Sequence, residues 1–419
     1  MAHSRRYGKF LALSIVGFLI IGVQQSAEAE SVSITARFKP DPAKPHQNKF
    51  ENTTQSSGYC ADYPVECTSN QMFSLQVPIE FNSSAPITAN HSSPRSGAML
   101  TVPSQWRDLT VYHESTHEPE TVRVRIVGIG SRYVTQDVMQ LVGGADNYTL
   151  AHGLLWGASW VYAPAPCLYS GVGVLTNISY KFFWKTPSQG ECAKQAKFDV
   201  PRLRFEYLDF AYELETPNPL GMKTGQYVGA LTYTVGPGGD FDMGDVMLPS
   251  SSTLTMNFNL DVQHTLKVDI PPGGNKVELV PEGGWQNWLQ NGRKPVRLFR
   301  DQTFNISASS RFKMLLVCEK PYAFHCGITD PNLPGRFGIV ELRITLPDGL
   351  MDIQGQPVKR QLLQWGESSA LQFNPSIYVD RGQGILHFEI LEYYTQYMVQ
   401  PGAEGNYKGN MTVIWDSEI

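Results

Sequence analysis

Residues 405–415 read Gly405-Asn406-Tyr407-Lys408-Gly409-Asn410-Met411-Thr412-Val413-Ile414-Trp415, and residues 225–235 read Gly225-Gln226-Tyr227-Val228-Gly229-Ala230-Leu231-Thr232-Tyr233-Thr234-Val235. The shared frame is G-x-Y-x-G-x-(Leu/Met)-T, followed by more β-formers. One such strand in each of two related domains is the economical account. Its glycines permit a turn or a close backbone approach, and its tyrosine anchors the start of the strand. The two copies end differently. The first is followed by a Gly- and Asp-rich segment, 236–252, and then by another strand candidate at 254–262; the second is followed by Asp416-Ser417-Glu418-Ile419. If the domains are relatives, the second is expected to lack a final strand. An unfilled sheet edge over an apolar groove is aggregation-prone alone, and it is the form a receptor for another chain's strand takes. The boundary between the domains is expected near 260–264.

The surrounding sequence carries the same β signature. Period-two alternation recurs at 109–112, 121–127, 172–184, 203–214 and 227–235, and again at 266–270, 276–280, 303–306, 312–318, 339–346 and 386–391. Helical pattern is scarce: 358–365 is read as a couple of turns and 137–142 as one. With 37 Gly, 28 Pro, 11% aromatic and only 17% charged residues, strands joined by many turns are favoured over long surface helices. The fold class predicted is all-β, two tandem sandwich domains with the C-terminal one incomplete.

The N-terminus has the layout of a secretory signal peptide: Arg5, Arg6 and Lys9, an apolar run from Phe10 to Val23, then Ala27-Glu28-Ala29. The apolar run is short for a membrane span. Cleavage after Ala29 leaves 390 residues and moves the formal net charge from −5 to −7. A chain of that length suits two domains, 30–262 and 263–419, after a 1–29 signal peptide. An acidic chain without basic blocks argues against nucleic acid as a partner. Six cysteines in an oxidising compartment permit fifteen pairings. They fall in sequential couples, and pairing Cys60 with Cys67, Cys167 with Cys192 and Cys318 with Cys326 keeps each bridge inside one domain. Free buried thiols are the alternative.

His113-Glu114-Ser115-Thr116-His117 matches H-E-x-x-H, which in a zinc peptidase places two imidazoles on one helical face with the glutamate as base. Here strand pattern precedes it, Pro119 follows, and no third ligand stands out. A polar hairpin loop is expected, in which both histidines tolerate alanine. No nucleophile elbow, P-loop or dinucleotide fingerprint is present, so neither a metal nor another cofactor is expected, and the chain is read as non-enzymatic. For ligand binding, Trp156, Trp160, Tyr162 and Tyr169 cluster around Cys167, where rings can stack on a sugar and a local disulfide holds the loop. Core packing is the competing reading for Trp156 and Trp160. Arg132 and Tyr133, after Gly128-Ile129-Gly130, form a second candidate on an exposed loop. Trp285 and Trp288 are expected to pack or to touch a neighbouring subunit.

Taken in order, the signal peptide, two local cysteine couples, the frame at 225–229 and the ending Pro401-Gly402-x-x-Gly405-x-Tyr407-x-Gly409 with its terminal apolar strand resemble the tip adhesins of class 5 fimbriae, the colonisation-factor and cable-pilus tip family of the alternate chaperone–usher route in Gram-negative bacteria. The resemblance implies immunoglobulin-like sandwiches: an N-terminal host-binding domain, and a C-terminal pilin domain missing its last strand and marked by Gly405, Tyr407 and Gly409. It implies a periplasmic chaperone, an outer-membrane usher and a major pilin subunit as partners, a host-surface glycan or glycoprotein as receptor, and a place at the pilus tip on the cell surface. Family members are thought to bind glycans through basic residues near the first frame. The comparable stretch here, Phe210-Ala211-Tyr212-Glu213-Leu214-Glu215, is acidic, and no arginine is carried over as a binding residue. A secreted zinc peptidase and a non-adhesive periplasmic sandwich protein are the alternatives.

Overall fold

A computed structural model describes Met1 and residues 29–292 and 294–417; the expected signal peptide lies almost wholly outside these. The chain is all-β, and its buried apolar residues form two main cores, one ending at Val262 and one drawn from residues 304–386. Among the described residues no helix is long and apolar enough to cross a membrane.

The principal elements around the first core are β1 (Glu30–Phe38), α1 (Tyr59–Asp62), α2 (Pro64–Asn70), β2 (Phe73–Val77), β3 (Arg107–His113), β4 (Pro119–Val134), α3 (Tyr148–Trp156), β5 (Leu168–Leu175), β6 (Ser179–Lys185), β7 (Leu208–Glu215), β8 (Gly225–Thr234) and β9 (Thr253–Val262). Strand β4 is the trunk of a branched sheet. Its first half pairs with β3 and β7 and its second half with β6, while β8 follows β3 and β9 follows β8. β9 runs antiparallel to β8 from Gly225↔Val262 to Thr234↔Thr253, and parallel to β1 on its other side. Its alternate residues Leu254, Met256, Phe258, Leu260 and Val262 are at most 2% exposed. At roughly 1.5–3 kcal/mol per fully buried large apolar side chain, β9 is a main source of this domain's stability.

The acidic turn between β8 and β9 holds its charge against arginines. Asp242 and Asp245 pair with Arg95 at 2.8 and 2.7 Å, and Asp240 pairs with Arg107. All three disulfides form within the expected couples, Cys60–Cys67, Cys167–Cys192 and Cys318–Cys326.

Around the second core lie β10 (Leu266–Asp269), α4 (Gly284–Asn291), β11 (Leu298–Ala308), β12 (Phe312–Cys318), β13 (His325–Thr329), β14 (Phe337–Thr345), β15 (Leu371–Pro375), β16 (Val379–Ile390), α5 (Glu392–Met398) and β17 (Met411–Ser417). One sheet runs β10-β11-β16-β14-β13, and the facing sheet carries β15-β12-β17. Phe304, Ile306, Phe312, Met314, Leu316, Leu342 and Ile344 fill the space between them. At the junction His264 bonds Met222 O at 2.9 Å on one side and Ser309 Oγ at 3.1 Å on the other. Burial lowers its pKa, against the opposing pull of the Met222 and Pro219 backbone carbonyls.

Several local expectations change: 172–184, read as one strand, is the β5–β6 hairpin broken at 176–178. Residues 358–365 contain a short strand, Gln361–Leu363, paired with β14 and not a helix. Pairing at 276–280 is limited to Val280–Pro281. The helices α1, α2, α3, α4 and α5 were not anticipated, although the signals of α3 are in the sequence. The Asn147 side chain accepts from Leu150 N at 2.9 Å at its start, and Gly157 ends it in a left-handed conformation.

Candidate functional site

The two copies of the repeat are built alike. Tyr227 Oη accepts from Lys223 N and Tyr407 Oη donates to Ala403 O, each at 2.9 Å and each to the backbone four residues earlier. This is a tyrosine corner, the device that opens the penultimate strand of an immunoglobulin-like sandwich. The second glycine of each frame passes close to a neighbouring backbone: a Cβ would lie 2.6 Å from Thr110 O at Gly229 and 2.8 Å from Gly327 O at Gly409. The copies differ in where pairing begins. β8 starts at Gly225, whereas Gly405, Tyr407 and Gly409 lie in the approach to β17, which bridges to β13 through Lys408 and Thr329.

Their surroundings differ more. β8 lies between β3 and β9. β17 pairs with β12 from Met411↔Cys318 to Ser417↔Phe312, and among the described residues its other edge has no partner. Its inward side chains Met411, Val413 and Trp415 pack on the second core yet stay half-exposed, with the Trp415 ring 4.9 Å from that of Phe304. Leu266 and Val268 of β10, the edge strand of the facing sheet, are half-exposed against the same core. An apolar cleft bordered by an unpaired backbone edge can accept a strand, gaining ladder hydrogen bonds and side-chain burial together.

The expected ligand residues separate into two groups. Trp160 and Tyr133 are fully buried and Trp156 is 2% exposed. Trp160 stacks 5.1 Å from Trp184 and accepts the Trp184 indole N–H at its carbonyl, and Tyr133 bonds His152, which reaches Thr176 O at 2.7 Å. These rings are core and cannot face a ligand. Arg132 and Tyr133 are not on a loop either, because Gly128 and Gly130 lie within β4, where the backbone passes under the Phe183 ring. Arg132 is spent on an ion pair with Glu206 at 3.4 Å.

Tyr162 and Tyr169, by contrast, are 63% and 56% exposed, with near-parallel rings 6.0 Å apart. They flank the buried Cys167–Cys192 bridge. Tyr169 lies on β5, whose sole pairing among the described residues is with β6. Exposed Leu168 and Val174 extend the same strand.

The acidic stretch 210–215 also reads differently in space. Glu213 and Glu215 pair with Arg125 and Arg123 at 2.6 and 2.7 Å, and both guanidiniums lie over Trp106 at 4.8 and 5.3 Å. Periodicity placed the arginines on a strand but could not show which strand faces them.

The H-E-x-x-H stretch forms the β3–β4 hairpin. His113 is 6% exposed; its Nδ1 accepts from Ser115 N and Thr116 N at 3.2 and 3.1 Å, and its Nε2 donates to Thr224 O at 3.0 Å. Both ring nitrogens are occupied. His117 sits in a left-handed conformation, φ 57°, so the paired-imidazole helix face of a zinc peptidase is not formed. The ring of His113 closes this turn, a role that an alanine does not supply.

No protein-family model and no curated protein matches the chain. Solved structures returned as similar include CfaE, the adhesive subunit of the CFA/I fimbria of enterotoxigenic Escherichia coli, at 11% identity and TM-score 0.27, covering 93% of this chain and 95% of that one. A chaperone–tip adhesin complex of CFA/I fimbriae biogenesis follows at 10% and 0.26, covering 93% and 97%. The CsuC–CsuE chaperone–tip subunit complex of Acinetobacter baumannii Csu pili stands at 7% and 0.20, covering 93% and 98%.

Proposed function

We propose that the chain is the adhesive tip subunit of a bacterial pilus, joined to its fibre by strand addition through the second domain and contacting a host-surface glycan or glycoprotein through the first. The observation that carries this reading is the β17 edge. Its counterpart β8 is covered by β9, which brings five buried apolar side chains, while Met411, Val413 and Trp415 lie half-exposed beside an unpaired backbone. A periplasmic chaperone strand is the first occupant of the cleft, and a major-pilin strand replaces it when the usher adds the subunit to the fibre. Co-expression with the chaperone of its own pilus cluster should convert the chain from aggregating material to a one-to-one complex. Recovery of the same yield of soluble monomer without a chaperone would refute the reading.

For the receptor, Tyr162 and Tyr169 are accessible sequence-derived candidates without an ion-pair partner, whereas Arg132, exposed on β4, is paired with Glu206. Parallel exposed rings beside a disulfide-held loop fit stacking on the apolar face of a pyranose. Replacing both with Ala should abolish binding to host cells while leaving the first domain's melting temperature unchanged. Retained binding would move the receptor site elsewhere, with the Trp106–Arg123–Arg125 surface next in line.

A further inference from the structure

The turn that carries Tyr162 is held from beneath by buried groups. Residues Ser159 to Tyr162 close on themselves, with Tyr162 N donating to Ser159 O at 3.2 Å. The same turn buries Trp160 and exposes Tyr162. Trp160 O accepts the Trp184 indole N–H at 2.8 Å, Val161 N donates to Tyr180 Oη at 3.2 Å, and Ser159 Oγ bonds that hydroxyl at 2.7 Å. Tyr169, the other exposed ring, is fixed separately, because it pairs with Trp184 in the β5–β6 ladder. The 6.0 Å separation of the two rings is therefore set by how firmly the turn sits on β6.

One of the groups beneath the turn is a charge. Lys194 ends the short strand Cys192–Lys194, which pairs with Ala98–Leu100 and begins at the Cys167–Cys192 bridge. The residue is 7% exposed, and its Nζ donates to Ser159 O at 3.0 Å. Desolvation lowers its pKa to about 8, and among the described residues no carboxylate opposes that shift. An ammonium without a counterion is costly to bury, and an apolar side chain of similar length would fill the space at less cost. Packing therefore does not explain a lysine here. Nor does the need of Ser159 O for a donor, since Tyr162 N already supplies one. What the ammonium adds is a second, charge-assisted hold on that carbonyl, which ties the turn to the strand anchored by the disulfide.

Resting on the receptor reading of Tyr162 and Tyr169, we propose that Lys194 is a positioning residue for that site: its buried ammonium holds the Ser159–Tyr162 turn so that the two exposed rings stay near-parallel before a sugar arrives. A ring pair already in its binding arrangement loses less freedom when the ligand stacks, so the stability given up in burying the charge is offset by affinity.

The test compares Lys194→Met with Tyr162→Ala in the mature full chain. Met keeps an unbranched stem and removes the ammonium. Binding is read as attachment of the purified chain to intact host cells. The proposal expects Lys194→Met to melt no lower than the parent in the first domain, because a lone buried charge is gone. Amides at 159–162 should exchange faster with deuterium while those of β6 keep their parental rates. Affinity should fall about tenfold, the loss expected when one charge-assisted hydrogen bond no longer orders the turn. Retained affinity would overturn the proposal. So would a loss of affinity that comes with parental exchange at 159–162, or with a lower melting temperature of the first domain, the mark of a merely structural lysine. In each of these cases, loss of binding in Tyr162→Ala leaves the receptor reading standing. Parental binding by Tyr162→Ala would overturn the receptor reading, and this proposal with it.

Discussion

Asp209 offers a pH-dependent test of how the first domain is held. It lies in β7 beneath α1, 2% exposed, against Gly58 at a left-handed φ of 67°, and its Oδ1 has no hydrogen-bond partner among the described atoms. Desolvation raises its pKa from 3.8 to about 8, against the opposing pull of the Tyr59 backbone N–H and Lys181. Between those two values the folded chain holds a proton that the unfolded chain has released. Stability from this group is therefore fully present below pH 4 and is lost as pH rises toward 8. At about 1.4 kcal/mol per pKa unit, the loss by pH 7 is on the order of 4 kcal/mol.

Asp209→Asn keeps the shape and removes the titration. It should match the parent near pH 4 and exceed it progressively, by several kcal/mol at pH 8. Calorimetry of the mature chain across pH 4–8 reads the first domain's transition directly. A parent–variant difference independent of pH would refute a buried, neutral Asp209.

Four further outcomes follow from geometry. His113→Ala should cost the first domain about 2–3 kcal/mol in urea unfolding, because Thr224 O and two turn N–H groups lose their partner. His117→Gly should be neutral or stabilising by up to about 1 kcal/mol, since glycine adopts its φ of 57° without strain. Tyr227→Phe and Tyr407→Phe should each cost about 1 kcal/mol, the first lowering only the first domain's melting transition and the second only the other's. Loop closure gives the Cys167–Cys192 bridge, with 25 residues of separation, about 3.5 kcal/mol, against about 2.4 kcal/mol for the 7- and 8-residue loops. Replacing the longer bridge with serines should therefore lower the chain's midpoint more.

Much of the fold was legible because its signals are local. Alternation marked the strands, the cysteine couples marked the bridges, and the repeat marked the sister strands β8 and β17 before either tyrosine's hydrogen bond was visible. The candidate site was harder to read. Tyr133 and Tyr162 are both tyrosines near glycine or proline, yet one is core and the other 63% exposed, because strand facing depends on partners far away in sequence. Glu213 looked like free acidity for the same reason, since its partner Arg125 is 88 residues distant. Trp285 stood out in the sequence as a packing or contact residue, but Tyr393, 76% exposed, did not, since the pairing of β11 with β16 is what brings the segments of α4 and α5 to one end of the domain.

The central claim is that β17 awaits a strand from another subunit. Its most direct measurement is the melting of the mature chain with and without a flexible linker and the alternating apolar strand of the partner pilin fused after Ile419. The account predicts that the fusion sharply raises the second domain's melting temperature, leaves the first domain's transition nearly unchanged, and blocks uptake of added donor peptide. An unfused chain that is monomeric and melts at the same temperatures as the fusion would contradict it.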